Sequence, residues 1–444
     1  MRARVLVLSP EPVAERMAGP AIRALELARS LSAAHAVTLA APRPSEPPGE
    51  GVELLEAGVE HFDALLAAAR EHDVLVAQEL SPTLLARLVG LDVRLVIDLY
   101  NPVVVEVLEA VVEQPPRVQR RTQRLLYART LAQLAAADFV ICASERQRDL
   151  WLGGLSLGGL IPVDEYRRDP SLRSLIDVVP FGIPEDPPGG EPAAYPGVGA
   201  GEPVALWAGG IWSWLDPLTP IRAAGILDGR AGQPAHLVFL GTGRPGLAET
   251  GQAVFAGRAE EEAVRLGLKD RCVHFMPGWV PYAERGRWLA GARLGVSAHG
   301  DHLEARFAFR ARVLDYLWAG LPVLTTRGDA LADLVERERL GRVVAPGDAE
   351  GFAAAWAELL DPAEAAAVGE RIAALRPGLA WRQAVAPLTA WCADPPPRRA
   401  KRRSVLRRAE LRQYRDGLID TASERGLREA LARAMRRLRR VGGR

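Results

Sequence analysis

Short apolar runs alternate with amphipathic stretches from the first residues of the chain to about residue 394. Apolar runs of four or five residues are typical of buried parallel strands, so the alternation predicts β-sheets that are covered by helices. In the first half the predicted strands are Val5–Leu8, Val37–Ala40, Val74–Ala77, Leu95–Asp98 and Phe139–Ala143, and the predicted helices are Ile22–Leu31, Phe62–Ala69 and Thr83–Val89.

A segment rich in proline and glycine, residues 185–202, interrupts this pattern and is interpreted as a linker between two domains. After it, strands are predicted at Val204–Ala208, Leu237–Leu240, Val273–Met276, Leu294–Ser297, Val323–Thr325 and Arg342–Val344, and helices at Pro217–Leu227, Ala259–Leu266, Tyr282–Ala290, Arg312–Ala319 and Gly351–Leu360. We therefore predict an α/β chain with two doubly wound, Rossmann-like domains (1–184 and 203–375), a helix at 376–394 that returns to the first domain, and a basic helical tail at 395–444.

The length of 444 residues is sufficient for two domains with their own cores. No apolar run approaches the roughly 18 residues of a membrane span, and the first residues resemble a buried strand more than a secretory signal. The three cysteines are too scattered to indicate a disulfide framework or a zinc site. These features predict a cytoplasmic protein without a bound metal.

Positive charge is concentrated at the end of the chain, where residues 398–444 contain 17 basic and 5 acidic residues. Apolar residues from Leu427 to Val441 recur at helical spacing among arginines, which predicts a basic amphipathic helix. Such a helix suits adsorption to anionic lipid on the inner face of a cell membrane. The alternatives are a helix packed on the acidic body of the protein and a disordered tail. Nucleic acid is not an expected partner, because aromatic residues are almost absent there.

Almost all basic residues are arginines, since the only lysines are Lys269 and Lys401. This composition excludes a GxxxxGK phosphate loop and argues against a pyridoxal phosphate site. If a phosphate is bound, arginines and backbone amides must neutralise it. The first candidate is Gly19, which precedes Pro20 at the start of a helix, where free amides favour an anion; a plain turn glycine is the alternative.

The densest group of polar candidates lies between Leu294 and Thr326. Arg310 and Arg312 stand at the predicted start of a helix, where the helix dipole disfavours positive charge unless an anion is bound. Asp315 in the first turn of that helix is a candidate for ribose hydroxyls or simply compensates the dipole. His299, after the preceding strand, is a candidate for a donor phosphate or sugar, with a purely structural role as the alternative.

This segment resembles the donor-binding region of GT-B glycosyltransferases, in particular family 4 of the retaining enzymes. Their pattern has two glutamates eight positions apart, the second followed by A-M-A-x-G-x-P-V. The stretch Asp315–Val323 aligns with the second half, which implies that Asp315 binds the ribose. Phe307 stands eight positions earlier, so either Glu304 fills the role of the first glutamate or that glutamate is missing.

Other motifs extend the resemblance over about residues 1–394. Val178–Pro184 resembles the exit from the first domain, and Val204–Gly210 resembles the strand and glycine pair beneath the donor phosphates. The resemblance implies that Gly209, Gly210, Gly241, Trp279 and Val280 bind the donor.

The family commonly has an arginine and a lysine after the glycine pair. This chain has Ile211-Trp-Ser-Trp-Leu-Asp216 there instead, so Arg310 and Arg312 are the candidates to replace them. Trp212 and Trp214 are candidates to stack on a sugar ring, although core filling is the favoured interpretation.

In the first domain, Asp98, Tyr100 and Asn101 end a predicted strand and are candidates for the acceptor, with an ordinary turn as the alternative. Arg23, one turn into the first helix, is a candidate for donor or acceptor, with a solvated surface position as the alternative.

The resemblance implies an enzyme that transfers a sugar, with retention, from a nucleoside diphosphate sugar to an acceptor hydroxyl, with no cofactor. Cell-envelope glycan synthesis is the expected setting, with a glycan or lipid-linked acceptor. Two alternatives remain. One is a catalytically weak GT-B binding or partner subunit, suggested by the absent lysine and the displaced glutamate. The other is a sugar-nucleotide epimerase, whose expected pair of acids is missing here.

Overall fold

The computed structural model describes residues 2–229, 235–242, 251–276, 278–399, 401 and 403–425, with side chains omitted at 251–253 and 416–425. The first domain contains a seven-stranded parallel sheet in the order β3-β2-β1-β4-β5-β6-β7. Its strands are β1 (Arg4–Leu8), β2 (Ala36–Ala41), β3 (Val52–Glu56), β4 (Val74–Ala77), β5 (Arg94–Asp98), β6 (Phe139–Cys142) and β7 (Ile176–Val178). Its helices are α1 (Gly19–Ser32), α2 (Phe62–Glu71), α3 (Pro82–Leu88), α4 (Val103–Ala110), α5 (Pro116–Ala136), α6 (Glu145–Leu157) and α7 (Val163–Arg168).

The second domain has a six-stranded parallel sheet in the order β10-β9-β8-β11-β12-β13. Its strands are β8 (Val204–Ala208), β9 (His236–Leu240), β10 (Val273–Met276), β11 (Leu294–Ser297), β12 (Val323–Thr326) and β13 (Gly341–Val344). Its helices are α8 (Leu218–Gly229), α9 (Gly251–Arg265), α10 (Arg285–Ala290), α11 (Leu303–Phe307), α12 (Arg312–Trp318), α13 (Ala330–Glu338), α14 (Ala349–Leu359) and α15 (Pro362–Leu379), and the chain ends with α16 (Trp381–Ala384), α17 (Ala386–Ala393) and α18 (Arg403–Arg425).

The prediction of two doubly wound α/β domains is confirmed. Strands β4, β6 and β11 are fully buried, as expected for central parallel strands with helices on both faces. The reversal of strand order lies between β1 and β4 in the first sheet and between β8 and β11 in the second. Because ligands of such sheets bind outside the carboxyl ends of the strands at this reversal, the fold directs attention to the loops after β1, β4, β8 and β11.

The end of the chain crosses from the second domain back to the first. The Ile183 backbone N–H donates to the Leu379 carbonyl (3.0 Å), and the Trp381 N–H donates to the Ile183 carbonyl (3.1 Å). Farther on, the Trp391 ring stacks on Phe139 of β6, with centroids 4.9 Å apart. These contacts join α16 and α17 to the first domain.

The first part of the basic tail lies on the first domain. The Lys401 ammonium is 2.5 Å from the Asp138 carboxylate in a buried ion pair, and Leu406 and Ala409 of α18 are buried in the core beside α3 and α5. The predicted amphipathic helix from Leu427 to Val441 lies outside the described residues. Within the part that is described, no helix is both long enough and apolar enough to span a membrane.

Candidate active site

A cavity of about 420 Å³ lies between the two domains and is lined by both. Twelve residues singled out from the sequence line it: Gly19, Tyr100, Asn101, Gly209, Gly210, Trp212, Trp214, Trp279, Glu304, Arg310, Arg312 and Asp315. A smaller cavity of about 230 Å³ in the first domain shares Pro20, Tyr100 and Asn101 with it and is also lined by Asp98. Most of the predicted site residues are therefore brought together where the two sheets face each other.

Three glycines follow three neighbouring strands of the second sheet. Gly209 after β8, Gly241 after β9 and Gly278 after β10 have φ angles of +99°, +81° and +105°, in the left-handed region that other residues rarely adopt. A Cβ atom at Gly209 or Gly278 would meet nothing within 4 Å, and one at Gly241 would approach the Gly209 Cα at 3.9 Å. Gly241 thus lies next to Gly209, and the strand ends expose bare backbone that a ligand can approach closely.

Arg312 begins α12 beside these glycines. Its Nη2 donates to the Gly210 carbonyl at 2.8 Å, and its guanidinium lies over the Trp207 ring, 4.8 Å from the centroid. Burial lowers the pKa of Arg312 to about 10. Its Nη1 is buried and has no hydrogen-bond partner among the described residues. Buried donors normally have a hydrogen-bond partner, and an anionic ligand would supply one for this Nη1.

Arg310 and Glu304 are engaged with each other. The guanidinium binds the carboxylate with two parallel hydrogen bonds of 3.0 and 2.5 Å, and both side chains are buried. Glu304 lines the cavity, which agrees with the alternative that it fills the role of the family's first glutamate. Its carboxylate is, however, already neutralised by Arg310. Direct binding of a diphosphate by Arg310 would have to compete with this ion pair, which makes Arg312 the stronger candidate.

Asp315 is paired with an arginine that sequence reasoning missed. The Arg285 Nε lies 3.2 Å from the Asp315 Oδ1, and the Arg285 guanidinium stacks over the rings of Tyr282 and Trp318 at 3.7 and 4.5 Å. Burial raises the pKa of Asp315, and Arg285 opposes that effect. The only sequence signal for Arg285 was its place shortly after the Trp279–Val280 motif.

Trp279 contacts the first domain from the loop after β10. Its Nε1 donates to the Met17 carbonyl at 2.9 Å, and nearby the Tyr282 N–H donates to the Glu15 carbonyl at 2.8 Å. Val280 is only partly buried against the main core and is not part of the cavity wall. The donor role of Val280 stays a prediction, and Trp279 is the residue of this pair that lines the cavity.

His299 requires a correction. Its side chain is fully buried, 3.3 Å from the Asp329 carboxylate, and its Nδ1 lies 3.0 Å from the Gly300 carbonyl oxygen. Asp329 in turn accepts hydrogen bonds from the first backbone N–H groups of α13. Because His299 does not line the cavity, its predicted contact with the donor is replaced by the structural alternative of holding two loops together.

Asp98 is likewise not free to bind an acceptor. Arg23 binds it with hydrogen bonds of 2.6 and 2.9 Å, both side chains are fully buried, and Arg23 also donates to the Val179 and Pro180 carbonyls. Asp98 therefore holds Arg23, and both interpretations of Arg23, as a ligand contact and as a solvated residue, are wrong. The pair connects α1, β5 and the exit from the first domain. Tyr100 and Asn101 remain the acceptor candidates of this group.

Trp212 and Trp214 lie in the segment after the glycine pair, where the resemblance led us to expect two basic residues. Their rings stack on each other, with centroids 5.5 Å apart and planes inclined by 4°, and both line the cavity while packing on the core of the second domain. The two tryptophans therefore fill the core and line the cavity at the same time.

Glu106 on α4 is the second residue that sequence reasoning missed. It lines the cavity from the side of the first domain. Burial raises the pKa of Glu106 to about 8, with a further contribution from the charge of Glu304, while Arg310 lowers it. The run Val103-Val-Val-Glu-Val was not predicted as a helix, because β-branched residues disfavour one.

Two doubly wound domains that face each other across a ligand-sized cleft define the GT-B architecture, so the chain has the GT-B fold. More narrowly, residues 203–362 match the family model for Glycosyl transferases group 1, which places a group 1 domain in the second half of the chain. Assignment to family 4 stays a prediction.

Solved structures that resemble the chain show the same fold. Sucrose-phosphate synthase from Thermosynechococcus elongatus has a TM-score of 0.60 at 18% identity, with 88% of this chain and 98% of that one covered. Anabaena HepE in complex with UDP-glucose has a TM-score of 0.60 at 13% identity, with coverages of 88% and 99%. WaaG, a glycosyltransferase involved in lipopolysaccharide biosynthesis, has a TM-score of 0.58 at 18% identity, with coverages of 87% and 98%. No curated protein sequence matches the chain.

Proposed function

We propose that the chain transfers a glycosyl group from a nucleoside diphosphate sugar to an acceptor hydroxyl in the interdomain cleft. The observation that carries this proposal is the unpartnered Nη1 of Arg312 beside the exposed backbone of Gly209 and Gly210. Departure of a nucleoside diphosphate develops negative charge on its phosphate, and preorganised donors in a cleft stabilise that charge without reorganising. The complex of the similar HepE with UDP-glucose supports the choice of a UDP-sugar as the first donor to test.

Binding of UDP is expected to raise the melting temperature of the protein, because a ligand that binds only the folded state stabilises it by mass action. The measurement is a thermal shift with UDP, UDP-glucose and a panel of other nucleoside diphosphate sugars, with uridine as the control that lacks phosphate. We expect a shift of several degrees with the diphosphates and little with uridine. Equal shifts with uridine, or none with any nucleotide, would contradict the proposal.

Arginine and backbone amides supply the positive potential in this scheme, so we propose a reaction that does not depend on a metal. Retention at the anomeric carbon is proposed from the family resemblance, and an NMR spectrum of the first-formed product tests it. The smaller cavity, which opens beside Tyr100 and Asn101, is the proposed acceptor subsite.

A catalytically weak binding or partner subunit is the second candidate. The observation that favours it is the ion pair of Glu304 with Arg310, which engages both charged groups in the resting cleft. An assay of UDP release from UDP-glucose distinguishes the two candidates. An enzyme releases UDP slowly, whereas a binding subunit is stabilised by UDP but releases none.

Cell-envelope glycan synthesis at the inner face of a membrane is proposed as the setting, with a glycan or lipid-linked acceptor. The role of WaaG in lipopolysaccharide biosynthesis supports it by analogy. The arginine-rich residues 426–444 support it by charge, since they contain seven arginines and one glutamate.

We expect the full chain to sediment with vesicles that contain an anionic phospholipid and to remain in solution with neutral phosphatidylcholine vesicles. A variant that ends at Arg425 keeps the docked part of α18 and is expected to lose most of this binding. Raising the salt concentration should weaken sedimentation of the full chain, because screening acts on surface charge. Equal sedimentation of the two proteins would remove the membrane from the proposal.

A further inference from the structure

The carboxyl groups that line the main cavity differ in their partners. Glu304 is held by Arg310, and Asp315 is held by Arg285. Glu106 lines the same cavity, yet among the described residues no hydrogen bond or ion pair engages its carboxyl group. Glu106 is therefore the lining carboxyl in the described part of the chain that remains available to a substrate.

Glu106 lies on the side of the cleft where the acceptor is proposed to bind. It lies one turn into α4, which begins directly after the loop that holds Tyr100 and Asn101, and these two residues line both the main and the smaller cavity. Helix α4 packs against α11 of the second domain, which carries Glu304. Glu106 thus lies between the proposed acceptor subsite and the wall of the second domain.

The charged groups around Glu106 come from several elements. Burial has the largest effect on the pKa of Glu106, Glu304 raises it further, Arg310 lowers it, and Glu79 from the loop after β4 raises it. The pKa of Tyr100, on the loop before α4, is raised mainly by burial, and the negative charge of Glu106 adds to that effect. No arginine forms an ion pair with Glu106 in the described part of the chain, so its proton can be exchanged without breaking one.

We propose that Glu106 binds the attacking hydroxyl of the acceptor and takes up its proton as the new glycosidic bond forms. This inference rests on the proposed transfer reaction. The acceptor oxygen forms a bond to the anomeric carbon on the same face from which the phosphate oxygen departs, as the proposed retention requires. The electron pair of the broken bond leaves with the nucleoside diphosphate beside Arg312. The proton passes to the Glu106 carboxylate and then to water, so that charge and atoms balance.

The chemistry of the group suits this role. A general base works best when its pKa lies near the operating pH, and a pKa of about 8 meets that condition. Glu304 and Asp315 are poorer bases, because protonation of either would break an ion pair with a guanidinium. The ionised form of Glu106 is the active one, so the rate is expected to rise with pH toward and through about 8 and then to level off.

The test is the pH dependence of UDP release from UDP-glucose, with water as the acceptor, between pH 6 and pH 10. We expect the wild type to show a rise with one ionisation near 8, and Glu106→Gln to lose at least tenfold in kcat together with that rise. Glu109→Gln, on the same helix and outside the cavity wall, is the matched control and should keep the wild-type profile. UDP should stabilise all three proteins alike.

The outcomes separate the inference from the function on which it rests. If UDP binds and Glu106→Gln keeps the wild-type rate and pH profile, the inference is wrong and the proposed function stands. A change of KM alone would also overturn it, since that result assigns Glu106 to substrate binding rather than proton transfer. If UDP neither binds nor is released by the wild type, both fail. Glu106→Gln should melt no lower than the wild type at pH 8, because it removes a partly buried charge that has no ion-pair partner among the described residues, so loss of folding does not explain a loss of rate.

Discussion

Replacing Arg312 with alanine is expected to lower kcat by roughly 100- to 1000-fold, the range observed when one preorganised donor is removed from a developing negative charge. Its Nη2 already donates to the Gly210 carbonyl, while its buried Nη1 has no partner among the described residues. The unpartnered group is therefore available to the leaving phosphate. Steady-state kinetics of UDP release from UDP-glucose measure the effect.

The stability of Arg312→Ala is expected to change by only about 1 kcal/mol, since the variant loses one hydrogen bond and relieves one unsatisfied donor. Arg293→Ala is the matched control, because Arg293 is an exposed arginine that precedes β11 at the opposite end of the strand. That variant should retain full activity. An Arg312→Ala protein with unchanged kcat would remove this residue from the mechanism.

Replacing Arg23 with alanine is expected to cost about 3–5 kcal/mol of unfolding free energy, because it leaves the buried carboxylate of Asp98 without its partner. Two hydrogen bonds to Asp98 and two to the Val179 and Pro180 carbonyls are lost together. Denaturant unfolding measures the change. Arg29→Ala, on the exposed face of the same helix, should cost no more than about 1 kcal/mol.

The destabilisation of Arg23→Ala should depend on pH. Burial already raises the pKa of Asp98 against the opposing charge of Arg23, and loss of that charge raises it further. The folded variant then holds a proton that the unfolded chain releases above about pH 4. Its stability is therefore expected to be closest to that of the wild type near pH 4 and to fall as the pH rises. A loss that is independent of pH would contradict the role of Asp98 as a paired carboxylate.

Most strands were predictable because they are apolar runs of four or five residues, a pattern that few other structures produce. Strands β8 and β11 match their predicted limits. Strand β3 was missed, because it lies at the edge of the sheet and two of its five residues, Glu53 and Glu56, are charged. Helix α4 was missed because its first turn is a run of β-branched valines, whose helical state depends on packing against α5 and α11.

The place of a site residue was predictable where its position at a strand end or helix start brings it to the cavity. It was not predictable where a partner far away in the sequence binds the side chain. Gly209 and Arg312 follow a strand and begin a helix, and both line the cavity as expected. Asp98 also follows a strand, but its partner Arg23 is 75 residues away in sequence and engages the carboxylate that was predicted to bind the acceptor. His299 is likewise paired with Asp329, and both side chains are buried. Partners of this kind are fixed by tertiary packing, which one sequence does not reveal.

The central claim is that a diphosphate binds where α12 begins, against the ends of β8 and β9. A crystal structure of the protein with UDP tests it most directly. We expect the diphosphate within hydrogen-bond distance of Arg312 Nη1 and of the backbone at Gly209 and Gly210. A diphosphate bound elsewhere, with Arg312 Nη1 still without a partner, would contradict the account.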